Sequence, residues 1–227
     1  MRALFVAGTG TDVGKTWVAS ALIRALSRRG RSVDALKPVV SGFDPAAPEG
    51  SDPAVLLAAL GRPVTPDEIA RIAPLQYRAP QSPPLAARLQ GEHLDFEAVT
   101  GACRARLARP DADWLLIESA GGVMSPVSDT ETCLDLARAL GLPTLLVGGS
   151  YLGAISHMLT AVEAVRNRGL PIAALVVSES AESSAPLDET VTAISAFAGL
   201  PSVTAPRADP SFADALARSL ELSPSPA

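Results

Sequence analysis

The chain has 227 residues, 48% of them hydrophobic, which is enough to bury a sizeable core. Its 24 acidic and 19 basic residues leave a formal net charge of −5 without any Lys/Arg block, which argues against nucleic acid or an acidic membrane surface as partner. Aromatic content of 4% offers little for stacking on single-stranded bases, and two isolated cysteines, Cys103 and Cys133, have neither metal-ligand spacing nor a disulfide framework.

The first predicted element is a strand over Ala3 to Ala7. No basic segment with a long apolar core precedes it, and no apolar run reaches about 18 residues, so the expectation is a cytoplasmic protein. The strand runs into Gly8-Thr9-Gly10-Thr11-Asp12-Val13-Gly14-Lys15-Thr16. A Gly-rich turn between strand and helix aims backbone N–H groups and a positive helix end at one anion, with Lys15 as a mobile cation. The loop is a variant P-loop, because Thr9 stands five residues before Gly14 where the usual pattern has Gly, and Gly8 comes one place too early.

Val18, Ala21, Leu22, Ala25 and Leu26 recur at helical spacing after Lys15, with Gly30 as the stop. Arg24, Arg28 and Arg29 then read as cations complementing the C-terminal end of that helix. Ser32 to Leu36 predicts a second strand ending at Lys37, and Pro38 opposes its continuation. Residues 43–84, rich in Pro, Gly and Asp, read as an elaborated insertion with short helices at Pro53–Leu60 and Pro66–Ile72. A helix near Phe96–Leu107 precedes Trp114 to Ile117, an apolar strand of the doubly buried kind, with Glu118 at its end. Leu145 to Val147 and Ala174 to Val177 repeat that strand pattern around a helix over Ala154–Arg168. The alternation predicts an α/β, P-loop NTPase-like fold: a mostly parallel sheet with helices on both faces and ligands beyond the carboxyl ends of the strands. Residues 1–221 read as one domain, followed by a Ser/Pro-rich tail over 222–227 expected to fray.

Lys15 is placed to reach the β- and γ-phosphates, and the Thr16 hydroxyl to coordinate Mg²⁺. Glu118 has the position of the carboxylate that completes such a metal site. The Ser119 to Gly122 stretch allows close backbone approach to a ligand, or is a simple turn. Taken alone, Asp52 before Pro53 reads as a helix cap. Lys37 either stabilises charge during phosphoryl transfer or is a solvated strand-end cation; Ser41 and Gly42 either meet a substrate or close a turn. The stretch Gly148 to Gly153 is a second helix entrance that suits an anion, or an ordinary loop. His157 has no Asp, Cys or second His nearby and is assigned no catalysis.

Taken together, the P-loop variant, Lys37-Pro38-Val39-Val40-Ser41-Gly42, Ser51-Asp52, Glu118-Ser119-Ala120-Gly121-Gly122, Ser125-Pro126-Val127-Ser128-Asp129 and Gly153-Ala154-Ile155-Ser156-His157 resemble the ATP-dependent dethiobiotin synthetase family over most of residues 3–180. The resemblance implies a C–N bond-forming cyclo-ligase of biotin biosynthesis. Such an enzyme converts 7,8-diaminopelargonic acid, CO₂ and ATP to dethiobiotin, ADP and phosphate, through a carbamate and a carbamic-phosphoric anhydride, with Mg²⁺. It implies catalytic roles for Lys37, Lys15 and Thr11, and a metal set of Thr16, Asp52 and Glu118, which turns Asp52 from cap to ligand. Ser41 would face the diamine, and Gly153, Ala154, Ile155 and Ser156 would receive the substrate carboxylate across the interface of a homodimer. ATP contacts would come from Asp12, Val13, Gly14, Lys15, Thr16 and Trp17 in the first loop and helix. Asp52, Glu118, Ser119, Ala120 and Gly121 would add to them, with Ser178, Glu179, Pro206 and Arg207 near the base.

Tyr151, Ser156 and Ser178-Glu179 depart from the Lys, Asn and Asn-Asp that the family often has. A Ser hydroxyl at 178 replaces an amide that both donates and accepts at a base edge. Two other P-loop classes fit less well. A cobyrinic acid-type amidotransferase synthetase needs a glutaminase domain, for which there is neither room nor a Cys-His pair. A MinD/ParA-type ATPase switch expects a Lys where Gly10 stands, together with a membrane helix or basic patch.

Overall fold

A computed structural model describes residues 1–109, 111–181 and 185–222. In chain order its elements are β1 (Arg2–Gly8), α1 (Lys15–Arg28), β2 (Val33–Leu36), β3 (Val39–Ser41), α2 (Asp52–Ala59), α3 (Pro66–Ile72), β4 (Leu75–Tyr77), α4 (Pro83–Leu89) and α5 (Phe96–Leu107). They continue with β5 (Trp114–Gly122), α6 (Cys133–Leu140), β6 (Thr144–Gly148), α7 (Ala154–Asn167), β7 (Ile172–Ser178), α8 (Leu187–Ala198), β8 (Ser202–Ala205) and α9 (Phe212–Leu222). Six strands form one parallel sheet in the order β2-β5-β1-β6-β7-β8, while β3 and β4 pair as a separate parallel ribbon.

Strand alternation sorts the core into two layers. Leu4, Val6, Trp114, Leu116, Leu145 and Val147 face α1, α2, α3 and α9. Phe5, Ala7, Leu115, Ile117 and Leu146 face α5, α6, α7 and α8. The central strands are therefore apolar on both faces, the condition under which a parallel sheet is stable between helical layers. Cysteines 103 and 133 are packing residues in the second layer.

Local signals set several boundaries. Gly14, at φ 92°, turns the chain into α1, and Gly30, at φ 77°, follows its end. Helix α6 begins with a capping box in which Thr132 and Asp135 satisfy each other's backbone N–H groups. Strands and helices over 3–7, 66–72, 96–107 and 154–168 stand where the periodicity places them, within a residue or two.

Three expectations need correction and a fourth, the arginines closing α1, is extended. Strand β5 does not stop at Glu118; it continues to Gly122, so Glu118 lies inside the strand. The backbone crowds this segment against the first loop: a Cβ on Gly122 would come 3.0 Å from the Thr9 carbonyl oxygen. Asp52 is not the cap of α2, because Ser51 is, its hydroxyl accepting from Ala54 N at 3.4 Å. Arg28 and Arg29 pair across to Asp214 and Glu221 of α9, joining α1 to a helix far away in sequence instead of only closing their own. Finally, Leu222 belongs to α9, and the rest of the expected tail, 223–227, lies outside the described residues.

Candidate active site

The carboxyl ends of β1, β2 and β5 converge on one cavity of about 850 Å³. It is lined by Thr11, Asp12, Gly14, Lys15, Thr16 and Trp17 from the first loop and α1, by Lys37, Val40, Ser41 and Gly42, and by Asp52. Ala120, Gly121, Ser125 and Arg207 close other sides. The segment Pro80-Gln81-Ser82-Pro83, at the start of α4, completes the wall. The sequence signal for that wall is local only, Ser82 followed by two prolines marking a helix start.

The loop between β1 and α1 has the wrapped form that phosphate binding requires. Asp12 adopts φ 57° and Gly14 φ 92°, and Lys15 Nζ donates to the Gly10 carbonyl oxygen at 2.8 Å. The variant glycine has a packing reason: a Cβ at Gly8 would meet Lys15 Cδ at 2.9 Å and Val13 Cγ2 at 3.0 Å. Burial pushes the Lys15 ammonium below its ordinary value, and the charge of Lys37 pushes it the same way, against Glu118 and Asp52.

Opposite the loop lies a charged cluster built by sheet register. Leu36 of β2 pairs with Ile117 of β5, so the next residues, Lys37 and Glu118, become neighbours. Lys37 Nζ donates to Glu118 Oε1 at 2.7 Å and approaches Asp52 Oδ2 at 2.5 Å. Thr16 Oγ1 lies 2.8 Å from Asp52 Oδ1 and 2.7 Å from Glu118 Oε1, and its single proton can serve one of them at a time. Burial alone would lower the Lys37 pKa, but the carboxylates of Glu118 and Asp52 override it and hold the ammonium above its ordinary value. Burial likewise pushes the Asp52 carboxyl up, and Lys37 and the Thr16 hydroxyl more than offset that, holding it below the usual range.

The donor set suits a divalent cation. Thr16, Asp52 and Glu118 offer only hard oxygen ligands, and Glu118, buried behind the cavity wall, keeps its Oε2 without a hydrogen-bond partner, an acceptor with unused capacity beside Thr16 and Lys37. Among the described residues no group of three or more His, Cys, Asp or Glu is placed to hold a metal alone. Two carboxylates and a hydroxyl fit a cation that shares its remaining positions with phosphates and water.

The remaining candidates divide. Val13, Ser119 and Ser178 are buried, and a Cβ at Gly14 would come 2.4 Å from Ser178 Oγ, so Ser178 sits against the phosphate loop. Glu179 accepts from Arg207 N at 3.0 Å through Oε2 and from Arg207 Nε at 3.1 Å through its carbonyl oxygen, which leaves Arg207 on the cavity wall. Pro206 and Glu179 do not line that wall. Gly153, Ala154, Ile155 and Ser156 are elsewhere, at a second concavity of about 620 Å³ with Tyr151, Leu152 and Phe197. The two cavities share no lining residue, so within one chain the helix α7 entrance is not joined to the P-loop. His157 Nδ1 meets Tyr151 Oη at 2.8 Å there.

The comparisons agree with this architecture. An AAA domain family model matches residues 2–206. The chain is 55% identical over 209 residues to the ATP-dependent dethiobiotin synthetase BioD of Caulobacter vibrioides, covering 92% of this chain and 94% of that protein. It is 54% identical to the protein of the same name from Phenylobacterium zucineum, with 91% and 89% covered, and 46% identical to that of Methylobacterium nodulans, with 88% and 91% covered. Among solved structures, a MinC:MinD cell division complex from Aquifex aeolicus aligns at TM-score 0.56 and 12% identity, over 96% of this chain and 86% of that one. The signal recognition particle receptor FtsY from Elizabethkingia anophelis aligns at TM-score 0.54 and 14% identity, over 96% and 65%. Both likenesses describe the fold alone. The identity and coverage of the relatives place the chain in a family: it belongs to the ATP-dependent dethiobiotin synthetases.

Proposed function

We propose that the chain joins CO₂ to 7,8-diaminopelargonic acid at the expense of ATP, closing the ring of dethiobiotin and releasing ADP and phosphate. The observation that carries this reading is the cavity lined by the phosphate loop with Lys37, Thr16 and Asp52, with Thr11 and Ser41 on its wall and Glu118 buried behind it in contact with Lys37 and Thr16. One substrate amine takes up CO₂ as a carbamate and loses a proton. A carbamate oxygen then attacks the γ-phosphorus and ADP leaves; the second amine attacks the carbonyl carbon, closes the ring and expels phosphate.

A carbamate facing a triphosphate concentrates negative charge, and the two buried lysines answer that problem in different ways. Lys15 approaches from the loop and follows the phosphates, exchanging the Gly10 carbonyl for a phosphate oxygen. Lys37 stays charged because two carboxylates hold it, and it stabilises the oxygens on which charge develops. Thr11 and Ser41 supply hydroxyl donors on the cavity wall. Mg²⁺, held by Thr16, Asp52 and Glu118, would supply Lewis-acid screening of the phosphates.

The same reading includes a homodimer in which Gly153 to Ser156 of one copy complete the cavity of the other. Support comes from exposed Leu152 and Phe197, 88% and 77% accessible, on the concavity these residues line. A single domain over 1–221 and a cytoplasmic location remain part of the proposal. No helix among the described residues is long and apolar enough to cross a membrane.

The test is phosphate release from ATP with Mg²⁺ and bicarbonate, with and without the diamine. Release that requires the diamine, with dethiobiotin detected by mass, supports the reading. Hydrolysis indifferent to the diamine overturns it in favour of a nucleotide switch.

A further inference from the structure

Asp34 is a carboxylate that the chemistry above does not use. It lies in β2, is 2% exposed, and stands three residues before Lys37, which directly follows the strand. Three guanidinium groups converge on it: Arg71 Nη2 at 3.3 Å and Arg62 Nη1 at 3.7 Å on Oδ1, and Arg106 Nη2 of α5 on Oδ2. Glu68 braces the first two, with Arg71 Nε at 3.0 Å and Arg62 Nη1 at 3.7 Å. Arg106 also reaches Asp111 at 3.5 Å.

The position of these arginines is informative. Arg62 follows α2, whose first residue is Asp52, and Arg71 lies in the last turn of α3. The helix pair is tied again just past the strand, where Lys37 N donates to the Ile72 carbonyl oxygen at 2.7 Å. So the segment carrying α2 and α3 is tied at two places, by Asp52 and Ile72 to Lys37 just past the strand, and by Arg62 and Arg71 to Asp34 within it. Hydrophobic contact alone lets a short helix pair slide; a buried carboxylate with directional partners admits one register.

We propose that Asp34 is a positioning residue for the cation site: by anchoring Arg71 and Arg62 it holds the α2–α3 pair in the register that brings Asp52 to Thr16, Glu118 and Lys37. This inference rests on the proposed use of Thr16, Asp52 and Glu118 as cation ligands. The arms of the cluster then differ in consequence. The Arg71 and Arg62 arm sets the position of Asp52, whereas the Arg106 arm fastens α5 and leaves Asp52 where it is.

The experiment compares Arg71→Gln, Asp34→Asn and Arg106→Gln in the full chain, each first checked for folding by thermal melt. Mn²⁺ affinity is read by paramagnetic resonance with a non-hydrolysable ATP analogue, which needs no turnover and no diamine. The expected result is a Mn²⁺ dissociation constant raised about tenfold in Arg71→Gln and Asp34→Asn, and unchanged within about twofold in Arg106→Gln, even where its melting temperature falls as far. Asp34→Glu, which keeps the charge, should recover part of the affinity. Equal effects in all three variants, or lowered melting temperature with unchanged Mn²⁺ affinity in Arg71→Gln, overturn the proposal and leave the cluster structural. If Asp34→Asn fails to fold, Arg71→Gln against Arg106→Gln decides. A wild-type protein that binds Mn²⁺ with nucleotide but makes no dethiobiotin would instead defeat the proposed function and leave this inference standing.

Discussion

Lys37 and Glu118 meet at 2.7 Å inside the protein, their side chains 5% and 1% exposed, because the parallel register of β2 on β5 sets them side by side. The pair joins two aspects of the molecule that usually compete. It puts charge in a core, where each ion costs several kcal/mol to desolvate, and it places that charge where phosphates and a cation are expected to meet.

Removing one partner exposes that cost. Lys37→Met retains most of the side-chain volume but leaves Glu118 buried beside only Thr16. Ring closure should fall at least ~10²-fold, and denaturant titration should show a loss of ~3 kcal/mol. Lys37→Arg, which restores charge with different reach, should regain stability more than activity. Ring closure within a few-fold of wild type in the Met variant would remove Lys37 from the chemistry.

Asp52 makes stability depend on acid in a calculable direction. Its folded-state pKa is depressed by Lys37 and Thr16 despite the opposing effect of burial, so its contribution is present above the unfolded value of 3.8 and is lost as pH falls through the lower folded value. Lys37 is the mirror case: raised above 10.5, it contributes fully below that pH and is lost only as pH climbs through its folded value. The difference in urea midpoint between wild type and Asp52→Asn should therefore stay level from about pH 5 to 9 and shrink below about pH 4. A difference that grows in acid contradicts this pairing.

Gly14 is under two constraints at once. Its φ of 92° disfavours any L side chain, and a Cβ there would strike Ser178 Oγ at 2.4 Å. Gly14→Ala should lose ~1–3 kcal/mol of stability and most nucleotide affinity, measured by calorimetry with an ATP analogue. Adding Ser178→Gly should recover part of the stability and little of the affinity, since the backbone strain persists.

Both thiols should be inert in the folded protein. Burial pushes Cys103 and Cys133 up to about 12, and each has 0% exposure, so neither offers a thiolate to reagents at neutral pH. Iodoacetamide followed by intact-mass measurement should show no adduct on the native protein and two after denaturation. Rapid native labelling of Cys133, which lies under the site near Lys15, would reveal opening of that region.

Much of the architecture is legible in the sequence alone. Apolar runs such as Trp114 to Ile117 and Leu145 to Val147 are too short for helices of the usual length and alternate with helical stretches, which makes them strands buried on both faces of a parallel sheet. Lys15 and Thr16 were legible as well, since phosphate binding is local: a strand, a turn and a helix start lie within one short stretch. The end of β5 is not legible because Ser119 to Gly122 has turn composition, while pairing of Gly122 to Gly8 carries the strand on past an irregularity in which Gly121 takes φ 68°. The β3–β4 ribbon went unseen because neither three-residue strand has a period to detect.

The sequence by itself determined the sheet-and-helix layering, the phosphate loop and the identity of the charged residues, because those depend on periodicity and on contacts between near neighbours. Only the tertiary structure decided how Lys37, Asp52 and Glu118 share their charges, that Ser51 frees Asp52 from capping, and that Asp34 gathers three arginines. Those relations span tens of residues along the chain, and no local propensity encodes them. They follow from strand register and from the free-energy cost of burying a charge without its partner.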